Sequence, residues 1–127
     1  MAEGIANKWL EDHQQKGWLA VSAGVSALHG DPTSKGTIEA LSQRQIQFKG
    51  ISKPLTEDVA KKAKIVLCMS HNHLITVKKF TTCAELLDPA GDIVDPFGQD
   101  QSVYDALAEQ MELLIAAKLQ ALTSKEA

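Results

Sequence analysis

The sequence predicts an α/β fold of the doubly wound kind, with helices laid over a parallel sheet, and three observations carry that prediction. The hydrophobic period switches repeatedly between the spacing of an amphipathic helix and short apolar runs of strand length. The resulting order is helix, strand, helix, helix, strand, helix, strand, loop, helix, the alternation that covers parallel strands with helices. At 127 residues, 44% hydrophobic and 23% charged, the chain suits one domain with a real core. The order is also one strand short, because a chain of this class opens with a strand that feeds its first helix. Three strands are few for such a sheet.

The chain opens on MAEGIANKWLEDHQQ, where Ile5, Trp9 and Leu10 fall among Glu3, Lys8, Glu11 and Asp12 and predict an amphipathic helix. Gly17 breaks that pattern, and WLAVSAGV (18–25) reads as a short buried strand. HGDPTSKG (29–36) is a turn-rich loop, and TIEALSQRQI (37–46) spaces Ile38, Leu41 and Ile46 as a helix does. Pro54 and Thr56 introduce LTEDVAKKA (55–63), a short helix with acidic residues in its first turn and lysines in its last, as the helix dipole favours. KIVLCMS (64–70) is an apolar run suited to a parallel strand buried on both faces. HNHLITVKKF (71–80) predicts a helix, CAELL (83–87) a last strand, and DPAGDIVDPFGQD (88–100) a loop dense in Asp, Pro and Gly. A long helix over about 103–122 closes the chain, its apolar stripe marked by Val103, Leu107, Met111, Leu114 and Leu122.

Composition narrows the partners. A net charge of −3 and a pI of about 5.8 give no electrostatic footprint for nucleic acid or for an anionic membrane surface. No apolar run reaches the length of a membrane span, and the first residues lack the pattern of a secretory signal, so the expectation is a cytoplasmic protein. Two cysteines, Cys68 and Cys83, are too few for a disulfide framework. His71 and His73 downstream of Cys68 invite a zinc site, but residues two apart on a helix point roughly 200° from each other and do not converge. No metal and no cofactor are expected. Lys61, Lys62, Lys64, Lys78 and Lys79 read as exposed helix ends, and Trp9 and Trp18 as core.

Four stretches, in order and spacing, carry a resemblance that covers essentially the whole chain: MAEGIAN, VSAGVSALHGDPTSKGTIEAL, KPLTEDVAKKAKIVLCMSHNH and DIVDPFGQDQSVYDALAEQM. They resemble the low-molecular-weight protein tyrosine phosphatases and their bacterial relatives that act on phosphoarginine. The most specific parts are Ser22-Ala23-Gly24 after a strand, the Val66-Leu67-Cys68-Met69 run, and Asp95-Pro96-Phe97-Gly98 with Val103-Tyr104 soon after. The resemblance implies a three-layer α/β/α domain over residues 1–127, with a parallel sheet of the low-molecular-weight phosphatase type. Members of that family open with a strand and a phosphate-binding loop, C-x5-R-S-P, directly before the Met that Met1 matches. The expectation is therefore an N-terminally truncated domain whose first, central strand and nucleophile loop are missing. Phe97 where other members have tyrosines points to the bacterial branch that includes arginine phosphatases.

The family's chemistry, as the resemblance implies it, uses a cysteine thiolate as nucleophile in a loop whose N–H groups and arginine cradle the phosphoryl oxygens. An aspartate on another loop protonates the leaving atom and then activates water against the phosphoenzyme. Asp95 matches that acid. Pro96 disfavours a helical backbone at Asp95, and Gly98 allows a sharp turn, so the carboxylate can project from its loop. Phe97 and His29 match positions bordering the substrate entrance. The nucleophile fails a simple count, because Arg44 is the sole arginine and precedes both cysteines, while six residues beyond Cys68 and Cys83 stand Leu74 and Pro89. A histidine that braces the phosphate loop in many relatives is matched by Gly50.

In the implied fold the absent strand lies between WLAVS and KIVLCMS, leaving a gap of roughly 9 to 10 Å, twice the strand spacing. Either the two strands close up and pair, or their open edges pair with a second copy, or the domain stays marginal and partly disordered, so reduced stability and a homodimer or aggregation through exposed sheet edges are expected. Two function classes stand side by side. One is a phosphotyrosine or phosphoarginine phosphatase, acting on phosphoproteins, whose gene encodes the missing segment upstream. The other is a non-catalytic phosphatase-like binding module or degenerate fragment. In either case the 127 residues alone are expected to be inactive.

Overall fold

The computed structural model describes residues 1–24, 33–48, 50–51 and 53–124. In chain order the elements are α1 (Ala2–Asp12), α2 (Lys35–Ser42), α3 (Glu57–Lys62), β1 (Val66–Cys68), α4 (His71–Val77), β2 (Ala84–Leu86) and α5 (Gln101–Ser124). They fall into two compact units. The first takes its described residues from 1–22, 33–51 and 96–124, and the second from 23–24 and 53–95.

In the first unit α1 and α2 each pack on α5. The core stripe of α5 is Tyr104, Leu107, Ala108, Met111, Ile115 and Leu119. Leu107 and Met111 agree with the stripe the sequence predicts, whereas Val103, Leu114 and Leu122 are only half-buried. The small Ala108 lets α5 approach α2, where Ala40 packs with it and Tyr104.

Both α1 and α2 end in Schellman turns built on glutamine where glycine is usual. Gln14 sits at φ 56, with its N–H on Glu11 O at 3.0 Å and the Gln15 N–H on Leu10 O at 2.8 Å. Gln45 repeats the motif at φ 63, with the Ile46 N–H on Leu41 O at 2.9 Å. Hence α2 stops at Ser42 and does not run on to Ile46. Ile46 is buried because the chain folds back there. Neither tryptophan is fully buried: Trp18 is half-covered, and Trp9 stacks on His13, one turn on, at a ring separation of 3.9 Å.

The expected strand at 18–25 does not form among the described residues, where Gly24 makes only an isolated parallel bridge with Pro54. Leu19 and Val21, predicted buried, are 79% and 59% exposed. The reason lies in which groups satisfy the backbone. The Asn7 carboxamide takes both ladder groups of Ala20, donating to its carbonyl and accepting from its N–H, each at 2.9 Å. One carboxylate oxygen of Glu3 accepts from the Ser22 N–H at 2.7 Å and its hydroxyl at 3.0 Å. An extended segment whose hydrogen bonds go to helix side chains has no need of a strand neighbour.

In the second unit β1 and β2 pair in parallel, in the register Val66↔Ala84, Leu67↔Glu85 and Cys68↔Leu86. Helix α4 crosses between them and packs on both. Of β1 only Cys68 is buried, so the prediction of a strand covered on both faces fails at Val66 and Leu67, which are half-exposed. A parallel strand is covered on both faces only inside a wider sheet, and the described residues form two strands. Helix α3 starts as predicted, with the Thr56 hydroxyl accepting from the Val59 N–H at 3.2 Å. Its i,i+4 pairs run from Lys61 to Glu57 at 2.7 Å and from Lys62 to Asp58 at 3.1 Å.

Candidate active site

The loop from Asp88 to Asp100 carries the residue expected to act as acid, and its local structure follows from its sequence. The Asp88 side chain accepts from the Ala90 N–H at 2.9 Å and its carbonyl from the Gly91 N–H at 3.1 Å, a turn that reverses the chain after β2. Asp92 then reaches α4. One of its carboxylate oxygens accepts from the His71 N–H at 2.8 Å and lies 2.7 Å from His71 Nδ1. These bonds, the backbone one first, hold the Asp92 carboxyl below the usual carboxylate range. Ile93 is buried, and its N–H donates to the Met69 carbonyl at 2.8 Å, just past the end of β1.

Two residues further on stands Asp95, exposed to solvent as an acid meeting an external substrate must be. After it, the Gln99 N–H donates to the Pro96 carbonyl at 2.9 Å, and Gly98 takes φ +79. That matches the third position of a type II turn, which favours glycine. Phe97 rides this turn with 79% of its surface exposed. Asp95 belongs to the second unit and Phe97 to the first. His29, the third expected site residue, lies outside the described residues.

Neither cysteine lies in a loop with Arg44, the sole arginine. Cys68 is buried in the strand, and burial pushes its thiol pKa up, away from the thiolate that nucleophilic catalysis needs. Cys83 is exposed at the approach to β2. The Arg44 guanidinium is bonded to the Glu112 carboxylate of α5. No group of three or more His, Cys, Asp or Glu side chains among the described residues is arranged to hold a metal ion. Nor is any helix among them long and apolar enough to cross a membrane.

Gly50 lines a cleft of about 450 Å³ within the first unit, along with Glu3, Gly4, Asn7 and Phe48. A Cβ placed on Gly50 would run into the ring of Phe48, so no side chain fits at this position unless that ring moves. The position at which the resemblance implies a bracing histidine is thus one whose side-chain space Phe48 takes up. Sequence reading missed four of these features: Glu3 and Asn7 against residues 20–22, Asp92 on His71, and Phe48 over Gly50. The first three are long-range bonds from polar side chains with no local pattern, and the last is a close approach visible only in three dimensions.

Comparison with known proteins agrees with this architecture. The model of the family described as low molecular weight phosphotyrosine protein phosphatase matches residues 1–127. A protein-arginine-phosphatase of Bacillus subtilis (strain 168) is 31% identical over 103 residues, covering 74% of this chain and 69% of the relative. That of Geobacillus stearothermophilus is 32% identical over 128 residues, covering 91% and 86%. The solved structure of a low molecular weight protein tyrosine phosphatase from T. tengcongensis superposes with a TM-score of 0.86 at 31% identity, covering 94% of this chain and 88% of that one. The chain therefore shares the α/β fold of these enzymes and belongs to the low-molecular-weight phosphotyrosine protein phosphatase family.

Proposed function

We propose that this chain carries the acid half of a protein phosphatase of the arginine-phosphatase-like branch, and that Asp95 is its general acid and base. In the complete reaction a cysteine thiolate attacks phosphorus and the bond to the leaving nitrogen or oxygen breaks. Asp95 delivers its proton to that leaving atom. The same carboxylate then takes a proton from the water that attacks the cysteinyl phosphate, releasing phosphate and freeing the thiolate. The exposed position of Asp95, between an anchored loop root and Pro96, supports this reading.

The thiolate and phosphate-cradling arginine of that scheme are not supplied by these 127 residues, which are proposed to be inactive by themselves. The observation that carries this is Arg44, the sole arginine, which is committed to Glu112 and has Ile38 six residues before it where C-x5-R needs cysteine. A non-catalytic, phosphatase-like binding role is the second reading, favoured by the packing of Phe48 over Gly50. Phosphate release from a phosphoarginine-bearing protein and from an aryl phosphate, measured with the 127-residue chain, tests the proposal. No turnover above the uncatalysed rate is expected. Turnover abolished by Asp95→Asn would overturn the claim of inactivity while keeping the acid role.

A further inference from the structure

We propose that His71 is a positioning residue for Asp95, acting through Asp92, which it ties to the N-terminus of α4. This rests on the reading of Asp95 as the general acid. Both the backbone N–H and the ring Nδ1 of His71 meet a single carboxylate oxygen of Asp92, at 2.8 and 2.7 Å. An ionised carboxylate only accepts, so Nδ1 carries a proton in this contact whether the imidazole is neutral or charged.

The next residue is pinned as well. Ile93 is buried, and its N–H donates to the Met69 carbonyl at 2.8 Å. Met69 and His71 flank Ser70, whose hydroxyl caps α4 by accepting from the His73 N–H at 3.2 Å. Two consecutive loop residues are therefore fastened to the two neighbours of one helix cap, at the point where β1 hands over to α4. Val94 alone separates this double anchor from Asp95, and Pro96 limits the backbone of Asp95 from the other side. With so few free torsions between anchor and acid, the direction of the Asp95 side chain is inherited from the Asp92–Ile93 root.

The carboxyl of Asp92 is held low, chiefly by the His71 N–H, so both bonds persist until the pH falls below the ordinary aspartate range and through that lowered value. The titratable side chains on the elements packed there are His71 and His73 on α4, buried Cys68 on β1 and Glu85 on β2.

Backbone amide NMR of the 127-residue chain tests this in the wild type, in His71→Ala and in Asp92→Ala. In His71→Ala the Val94 and Asp95 amide signals are expected to shift, and in Asp92→Ala the Ile93 amide is expected to exchange about two- to five-fold faster, the range of an exposed ion pair. Val94 and Asp95 amides that stay in place in His71→Ala, or an Ile93 exchange rate unchanged in Asp92→Ala, would overturn the proposal. Should either variant fail to fold, the milder Asp92→Asn, read at the same three amides, decides in its place. None of these readouts needs turnover, so a failure here leaves the acid role of Asp95 to be judged by its effect on rate.

Discussion

A chimera that places the opening strand and C-x5-R loop of a protein-arginine-phosphatase relative in front of Met1 is expected to hydrolyse phosphoarginine, and Asp95→Asn is expected to lower its kcat about 10²- to 10⁴-fold. The two halves of the reaction are separable in principle. The grafted loop would bring the thiolate and the phosphate cradle, and this chain would bring the proton. Asparagine keeps the shape and hydrogen-bonding reach of Asp95 but has no proton to give, so the loss measures acid catalysis and leaves the fold intact. Its size should follow the leaving group. A guanidine nitrogen must be protonated to depart, whereas an activated aryl oxide leaves readily as the anion, so the variant should lose far more with phosphoarginine than with an activated aryl phosphate. An Asp95→Asn chimera as fast as its parent on both substrates would move the acid elsewhere.

Leu41→Ala is expected to remove about 2–5 kcal/mol of stability, the cost of truncating a buried leucine whose surroundings cannot collapse. Leu41 has no exposed surface at all. It sits on α2 where the helix turns off, and its carbonyl accepts from the N–H groups of Arg44 at 3.0 Å and Ile46 at 2.9 Å. Across from it runs the backbone of α1 at Gly4, so close that a Cβ there would stand 3.0 Å from Leu41 Cδ1. Its methyl groups therefore fill space between two helices and a capping turn. Since small domains retain only about 5–15 kcal/mol, this one change takes a large share of the total. Urea unfolding should show a lower midpoint with an unchanged slope. A midpoint within error of the wild type would mean that the Leu41 side chain, set against α1 at Gly4, is not what holds the first unit.

Much of this architecture is legible in the sequence because local signals agree with the tertiary outcome. Thr56 and Ser70 cap α3 and α4 where cap chemistry places them. The Val66–Cys68 and Ala84–Leu86 strands lie inside the apolar runs that predict them. Where reading fails, a long-range contact has overridden a local pattern. WLAVS has the composition of a buried strand, yet Asn7 and Glu3 on α1 take its backbone groups and leave Leu19 and Val21 exposed. Gln45 ends α2 in a conformation that glutamine seldom adopts, so no residue type announces the stop. Asp95 is legible as a candidate acid because Asp-Pro-x-Gly is a backbone pattern with a physical meaning. The Asp92 bond to His71, 21 residues away in sequence, is not.

Trapping the phosphoenzyme decides whether these 127 residues hold an acid without a nucleophile. The chain is mixed with a phosphoarginine-bearing substrate, quenched, and weighed intact by mass spectrometry, with Cys68→Ser and Cys83→Ser run beside it. No phosphoryl adduct is expected on any of the three. An adduct on the wild type that disappears with either cysteine would contradict the account, since it would show a working thiolate where the buried Cys68 and the arginine count predict none.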